Sequence, residues 1–175
     1  ELKIKKFTIG SASFGAAIAC EIGLLDEFEI EKFFISNSPV KYSADYEWTP
    51  TLDKIGASKK SELLVPRNHN ELSFLYKTSR YKLSLAPAFV FKGVYKNIYM
   101  YQAEDRAKLM DQFIVDQIEM VHHNYDFSFP VLVIWGENDI LSPIEMGERL
   151  HKHFGENSQL TVVPKCGHMP NIERP

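Results

Sequence analysis

Cysteine is scarce in this chain: Cys20 and Cys166 are the only two among 175 residues. Two thiols cannot staple a disulfide-dense scaffold; they are compatible with a reducing compartment, and both are expected to be buried. Basic clusters are missing as well. Lys3, Lys5 and Lys6 form the densest group, and a net charge of -3 supplies no general electrostatic reason to bind nucleic acid or an anionic membrane. No stretch approaches the ~18 apolar residues of a membrane span, and no charged-then-apolar leader opens the chain. A segment before residue 1 carrying either one stays open, so a cytoplasmic location is an expectation, and membrane association and oligomeric state are undecided. Glycine-rich phosphate loops, dinucleotide fingerprints and zinc patterns are absent too, so no cofactor is implied. His122 with His123, and His151 with His153, lack a cysteine or carboxylate cluster at ligand spacing; they read as solvated helix ends and not as metal ligands.

What is present is the composition of a soluble globular protein of roughly one domain, 45% hydrophobic and 25% charged. Short apolar runs suited to buried parallel strands occur at Lys6–Gly10, Lys32–Asn37, Val131–Gly136 and Leu160–Val163. A helix from about Phe14 to Leu25 joins the first two, and one from about Ile144 to Phe154, ended by Gly155, joins the last two. Alternation of strand and helix predicts an α/β fold with a parallel sheet. Residues 1–39 and 130–175 would form its core, and residues 40–129 a helical cap or lid inserted between the second and third strands. In that insertion "AEDRAKLMDQFIVDQIEMV" places Ala107, Met110, Phe113, Ile114, Ile118 and Val121 on one helical face, with Glu104 and Asp105 in the first turn. A shorter helix is expected to start at Asn68, with Glu71 completing a capping box, and another at Pro87. Lys41 to Tyr101 holds eleven of the twenty-two aromatics, Trp48, Phe74, Tyr76, Phe89, Phe91 and Tyr95 among them. They suit the core of a cap, and equally an apolar substrate pocket.

Ser13 stands on the corner between the first strand and its helix, in the order Ser11, Ala12, Ser13, Phe14, Gly15. Small residues two before and two after a nucleophile are expected because a strained strand-to-helix turn brings them together. The start of the helix also aims N–H groups and a positive dipole end at the place where an oxyanion develops. The strict G-x-S-x-G string is not met, since Ser11 stands where the first glycine is usual. By itself such a turn reads as close packing more readily than as chemistry. Asp139, in "WGENDILSP" after the third strand, and His168, in "PKCGHMPNIERP" after the fourth, change the balance. Alone, Asp139 suits a turn and His168 a surface. Together with Ser13 they are a nucleophile, a carboxylate and a base at the carboxyl ends of successive parallel strands.

"PVLVIWGENDILSP" and "CGHMPNIERP" resemble the acid and histidine segments of α/β-hydrolase fold serine hydrolases, and "SASFGAAIACEIG" resembles their nucleophile elbow. The aromatic insertion is similar, more loosely, to the cap of monoacylglycerol lipase-like carboxylesterases. The resemblance implies Ser13 as nucleophile, His168 as general base and then acid, Asp139 as the residue that holds the imidazole, and the Phe14 N–H as an oxyanion donor. It implies a small-molecule ester, lipophilic on its acyl side, cleaved through an acyl-serine. A ligand-binding or receptor-like member of the fold is the alternative. The family's second oxyanion donor lies in a glycine-containing loop after an early strand, and no segment here matches it. The chain is therefore expected to be the C-terminal part of a larger fold, its strands a contiguous half of an eight-stranded sheet.

Overall fold

The first strand, β1 (Lys6–Ala12), feeds through a two-residue turn into α1 (Gly15–Gly23), and the chain returns as β2 (Glu29–Ser36). A computed structural model of the protein describes residues 3–25, 27–38, 40, 52–53, 56–58, 60–82, 86–120 and 124–175, leaving aside the side chains of 60 and 113–120. After β2 come α2 (Lys60–Leu64), α3 (His69–Thr78), α4 (Ala88–Val94), a π-helical turn (Tyr95–Tyr99) and α5 (Ala103–Met120). The chain re-enters the sheet as β3 (Val131–Gly136), crosses over through α6 (Ile144–Phe154) and a 3-10 turn (Gly155–Asn157), and continues as β4 (Ser158–Val163) and the short α7 (Pro170–Glu173).

Among the described residues four strands run parallel and contiguous in the order β1-β2-β3-β4, with β1 and β4 at the sheet edges. Alternation puts Phe33 and Ile35 of β2, with Val131, Val133 and Trp135 of β3, on one buried face. Both crossover helices lie on that face: Ala16, Ala19 and Cys20 of α1, and Met146, Leu150 and Phe154 of α6, complete the core. Small residues dominate α1's inner side because the helix lies close to the sheet. Burying such a set stabilises the fold by roughly 1.5–3 kcal/mol per large apolar side chain. On the opposite face Thr8, Lys32, Phe34, Leu132 and Gln159 line an open groove of about 370 Å³.

The strand ends differ from their expected positions in a way that matters. β1 runs on to Ala12, stopping just before the serine, and β2 stops at Ser36, just before Asn37, whose N–H still donates to the Ile134 carbonyl at 3.0 Å. α1 is shorter than expected, beginning at Gly15 and ending at Gly23. β4 begins at Ser158, whose hydroxyl is held by the carbonyls of His151 and Gly155 at the end of α6.

In the inserted segment, Asn68 caps α3 by accepting from the Asn70 and Glu71 N–H groups, both at 3.0 Å. Glu71 closes this cap through the Arg67 N–H at 2.7 Å, and not through the cap residue's own N–H. Pro87 precedes α4 as expected, and α5 carries Glu104 and Asp105 in its first turn. Ala107 and Met110 are half-buried on α5, and α2 packs against it. The expected contributions of Phe113, Ile114, Ile118 and Val121, and the placement of Trp48, His122 and His123, lie outside the described residues. Among the described residues no helix is long and apolar enough to cross a membrane.

Candidate active site

Ser13 adopts φ 49°, a left-handed conformation that costs a non-glycine residue roughly 1–2 kcal/mol. Its N–H still extends the β1–β2 ladder, donating to the Ser36 carbonyl at 2.9 Å, while its own carbonyl receives the Ala16 N–H at 3.1 Å. The residue is thereby held at both ends in a sharp turn, with Phe14 next in line as the N-cap of α1. The steric reason expected for Gly15 is not what the structure contains: a Cβ built there meets no neighbouring atom within 4 Å. The sequence spacing is right, but close approach across the elbow is not what calls for glycine. Ser11, the neighbouring hydroxyl, is buried and donates to the Phe34 carbonyl at 3.1 Å; it belongs to the sheet.

His168 is delivered by the loop after β4. This loop is welded to the one after β3: Asn138 N–H donates to Cys166 O at 2.9 Å, Glu137 N–H to Val163 O at 3.0 Å, and Lys165 N–H to the Glu137 carboxylate at 3.1 Å. Gly136 has to be glycine, because a Cβ on it would stand 2.0 Å from the Gly167 carbonyl oxygen. Glu137, the nearest alternative acid in sequence, is exposed and committed to Lys165.

Across these loops the structure brings together all three side chains that the sequence singled out. His168 Nε2 lies 2.9 Å from Ser13 Oγ, and His168 Nδ1 lies 2.8 Å from Asp139 Oδ2. The Asp139 side chain is fully buried and that of His168 nearly so. Asp139 Oδ1 receives the N–H groups of Leu141 and Ser142 at 2.9 and 3.0 Å, in a turn that closes on its own carboxylate. Oδ2 receives a further donor, the Asn37 amide, at 2.6 Å. Every described partner of this carboxylate other than the imidazole is an N–H donor, so both of its oxygens act as acceptors. An acceptor oxygen facing Nδ1 suits the tautomer with the ring proton on that nitrogen, leaving Nε2 to accept from the Ser13 hydroxyl.

Asn37 is the site residue that sequence reasoning missed. It is buried, takes φ 48°, and reaches Asp139 across 102 positions of sequence. Its one local signal is an asparagine at the carboxyl end of a strand, a residue type that tolerates left-handed backbone.

A cavity of about 320 Å³ opens on Ser13 and His168, within the usual size range of small-molecule sites. Leu64, Leu72, Leu75, Leu141, Met169 and Ile172 give it an apolar wall, to which Tyr76, Ser79, Arg80 and Tyr99 add polar groups. Of the inserted aromatics, Tyr76 and Tyr99 reach this cavity, and Phe91 supports Tyr76 edge-on at 5.4 Å. Phe74 and Phe89 face solvent instead. Elsewhere, His151 Nδ1 is paired with Ser158 Oγ at 2.7 Å, and His153 packs edge-on against Tyr125. Among the described residues no group of histidines, cysteines and carboxylates has the make-up of a metal site.

Parallel strands with crossover helices, and Ser13, Asp139 and His168 brought together on the loops leaving β1, β3 and β4, define the arrangement of an α/β-hydrolase fold. The chain belongs to the alpha/beta hydrolase fold family, whose pattern matches residues 1–175. It is 24% identical over 139 residues to monoacylglycerol lipase ABHD6 of Bos taurus, a match covering 78% of this chain and 41% of that protein. In structure it is similar to a putative lipase from Acinetobacter baumannii, with a TM-score of 0.71 and 25% identity over 95% of this chain and 56% of the other. It also shares its fold with a meta-cleavage product hydrolase, CumD, with a TM-score of 0.77 at 18% identity, over 99% of this chain and 62% of the other. The chain thus spans about two fifths of the length of the curated lipase it matches.

Proposed function

We propose that this chain carries the reactive residues of a serine hydrolase that cleaves carboxylic esters through an acyl-serine intermediate. The observation that carries the proposal is the continuous chain Ser13 Oγ, His168, Asp139, with contacts of 2.9 and 2.8 Å. In the proposed mechanism Ser13 Oγ attacks the ester carbonyl carbon as His168 Nε2 takes its proton. The imidazolium so formed is stabilised by Asp139. Collapse of the tetrahedral intermediate breaks the ester C–O bond, and His168 returns the proton to the leaving alkoxide, releasing the alcohol. Water then attacks the acyl-serine by the same route, with His168 first as base and then as acid, releasing the carboxylic acid and restoring Ser13. The Phe14 N–H, following the nucleophile at the start of α1, is the assigned oxyanion donor.

The apolar wall of the cavity supports a substrate with an apolar acyl portion, in keeping with the lipases among the relatives. The helices between β2 and β3 act as its cap. The test is active-site labelling of the intact protein with a fluorophosphonate. Ser13→Ala should abolish labelling, and label found on Ser11 or any other serine in the wild type would overturn the assignment.

A further inference from the structure

Arg80 is the one fixed charge among the residues lining the cavity that holds Ser13 and His168. Its guanidinium carbon sits 4.3 Å from the centre of the Tyr76 ring, and its Nε is buried without a hydrogen-bond partner. No carboxylate among the described residues pairs with it. Two carboxylates of the neighbouring loops are already committed. Asp139 takes the donors described above, and Glu173 takes the N–H groups of Gly167 at 2.8 Å, Tyr81 at 3.0 Å and Lys82 at 3.2 Å. A guanidinium held against an aromatic face, partly stripped of water and lacking a counter-ion, carries an unmet demand for an acceptor.

Its position is fixed by the backbone. His168 N–H donates to Ser79 O at 2.9 Å, and a Cβ on Gly167 would stand 2.9 Å from Arg80 Cα. Arg80 is therefore carried by the same packing that places the imidazole, and its distance from the reacting hydroxyl is set by the fold.

We infer that Arg80 is a specificity-determining residue that selects esters carrying a carboxylate at the end remote from the scissile bond. This rests on the serine-hydrolase reading above. The apolar wall takes the alkyl stretch between the two groups, and the guanidinium pairs with the far carboxylate, for which its planar fork is suited. The preferred substrate is then a two-ended molecule, anionic at one end and esterified at the other. The cavity fits a short connecting chain better than a long fatty acyl group.

The experiment compares kcat/KM of the intact protein on matched pairs of p-nitrophenyl esters: monoesters of glutaric and adipic acid against neutral esters of equal chain length. A second pair, acetyl esters of ω-hydroxy acids against those of simple alcohols, asks whether the carboxylate belongs to the acid or the alcohol side. The wild type should prefer the anionic member of one pair. In Arg80→Gln that preference ratio should fall by about 10- to 100-fold, as expected for loss of a charge-assisted hydrogen bond, carried mainly in KM. Arg80→Lys should keep part of the ratio. An unchanged ratio in an Arg80→Gln protein that still labels with fluorophosphonate overturns the inference.

If Arg80→Gln fails to label, competitive inhibition of the wild type by free glutarate but not by glutaramide supports the inference, and equal inhibition overturns it. If the wild type itself neither labels nor turns over ester, the hydrolase reading falls. Calorimetric binding of glutarate then decides Arg80 separately, and absence of binding overturns its role as well.

Discussion

Asp139 depends on Asn37 more than on any other side chain apart from the histidine it holds. Deleting that donor leaves Oδ2 with the imidazole alone, and the carboxylate is then oriented only by the two turn N–H groups on Oδ1. Substitution with alanine would mix that loss with backbone strain, since φ at this position is 48°. Asn37→Gly keeps the conformation accessible and removes only the amide. It is expected to lower kcat by about 10- to 100-fold, the range for groups that orient reactive residues at one remove. The check is a steady-state assay alongside a thermal melt. A kcat equal to wild type would mean that the turn N–H groups position Asp139 unaided. Asp139→Asn should be more severe, about 10⁴ in turnover, because an amide favours the wrong imidazole tautomer. Near-normal hydrolysis by that variant would move the acid elsewhere, although Glu137 is already engaged with Lys165.

At the scale of elements, α1 and the loop after β4 each bury a thiol. Burial raises Cys20 well above its ordinary value, and burial together with the nearby Glu173 pushes Cys166 up to about 11. Burial, and a hydrogen bond to Glu21, raise Tyr125 in the same direction. For a neutral acid whose folded pKa is raised, the native state holds more protons than the unfolded state above the unfolded pKa. The two thiols therefore leave stability unchanged well below pH 9.0, their ordinary value, and their contribution is lost as pH rises from there through about 11. Urea melts at pH 8 and pH 10.5 should show the midpoint falling at the higher pH, and Cys20→Ala should reduce the fall. Native protein at pH 8 should also resist thiol reagents at both positions until it is unfolded.

The strands and crossover helices were legible in the sequence because apolar runs of strand length, small-residue turns and the glycine at 155 are local signals. So were Ser13, Asp139 and His168, each of which follows such a run. Asn37 was not legible, since its function lies in an amide contact that only the pairing of β2 with β3 brings about. Arg80 escaped notice for the same reason: an unpaired charge is visible only when its surroundings are. Gly15 is the instructive case, where the expected residue type was present and its expected cause was not.

For the molecule as a whole, the sheet's exposed features govern its behaviour in solution. β1 is an edge strand, and Phe34, 42% exposed, lies on the sheet face turned away from α1 and α6. Unpaired edges and apolar faces of this kind favour association with a second chain. The 175 residues expressed alone should therefore self-associate as concentration rises. Phe34→Lys should weaken this, as measured by sedimentation velocity. A monomer at every concentration would refute the expectation.

The bond from His168 N–H to the Ser79 carbonyl has a mechanical meaning. It clamps the trailing end of α3, one wall of the cavity, to the loop that carries His168. A swing of α3 wide enough to admit substrate must either break this clamp or drag the histidine off the serine, so entry by that route disarms the site. Traffic is then left to the part of the wall where Tyr99 closes the π-helical turn. Hydrogen exchange should find the amides of His168 and the last turn of α3 opening together, and more slowly than those around Tyr99.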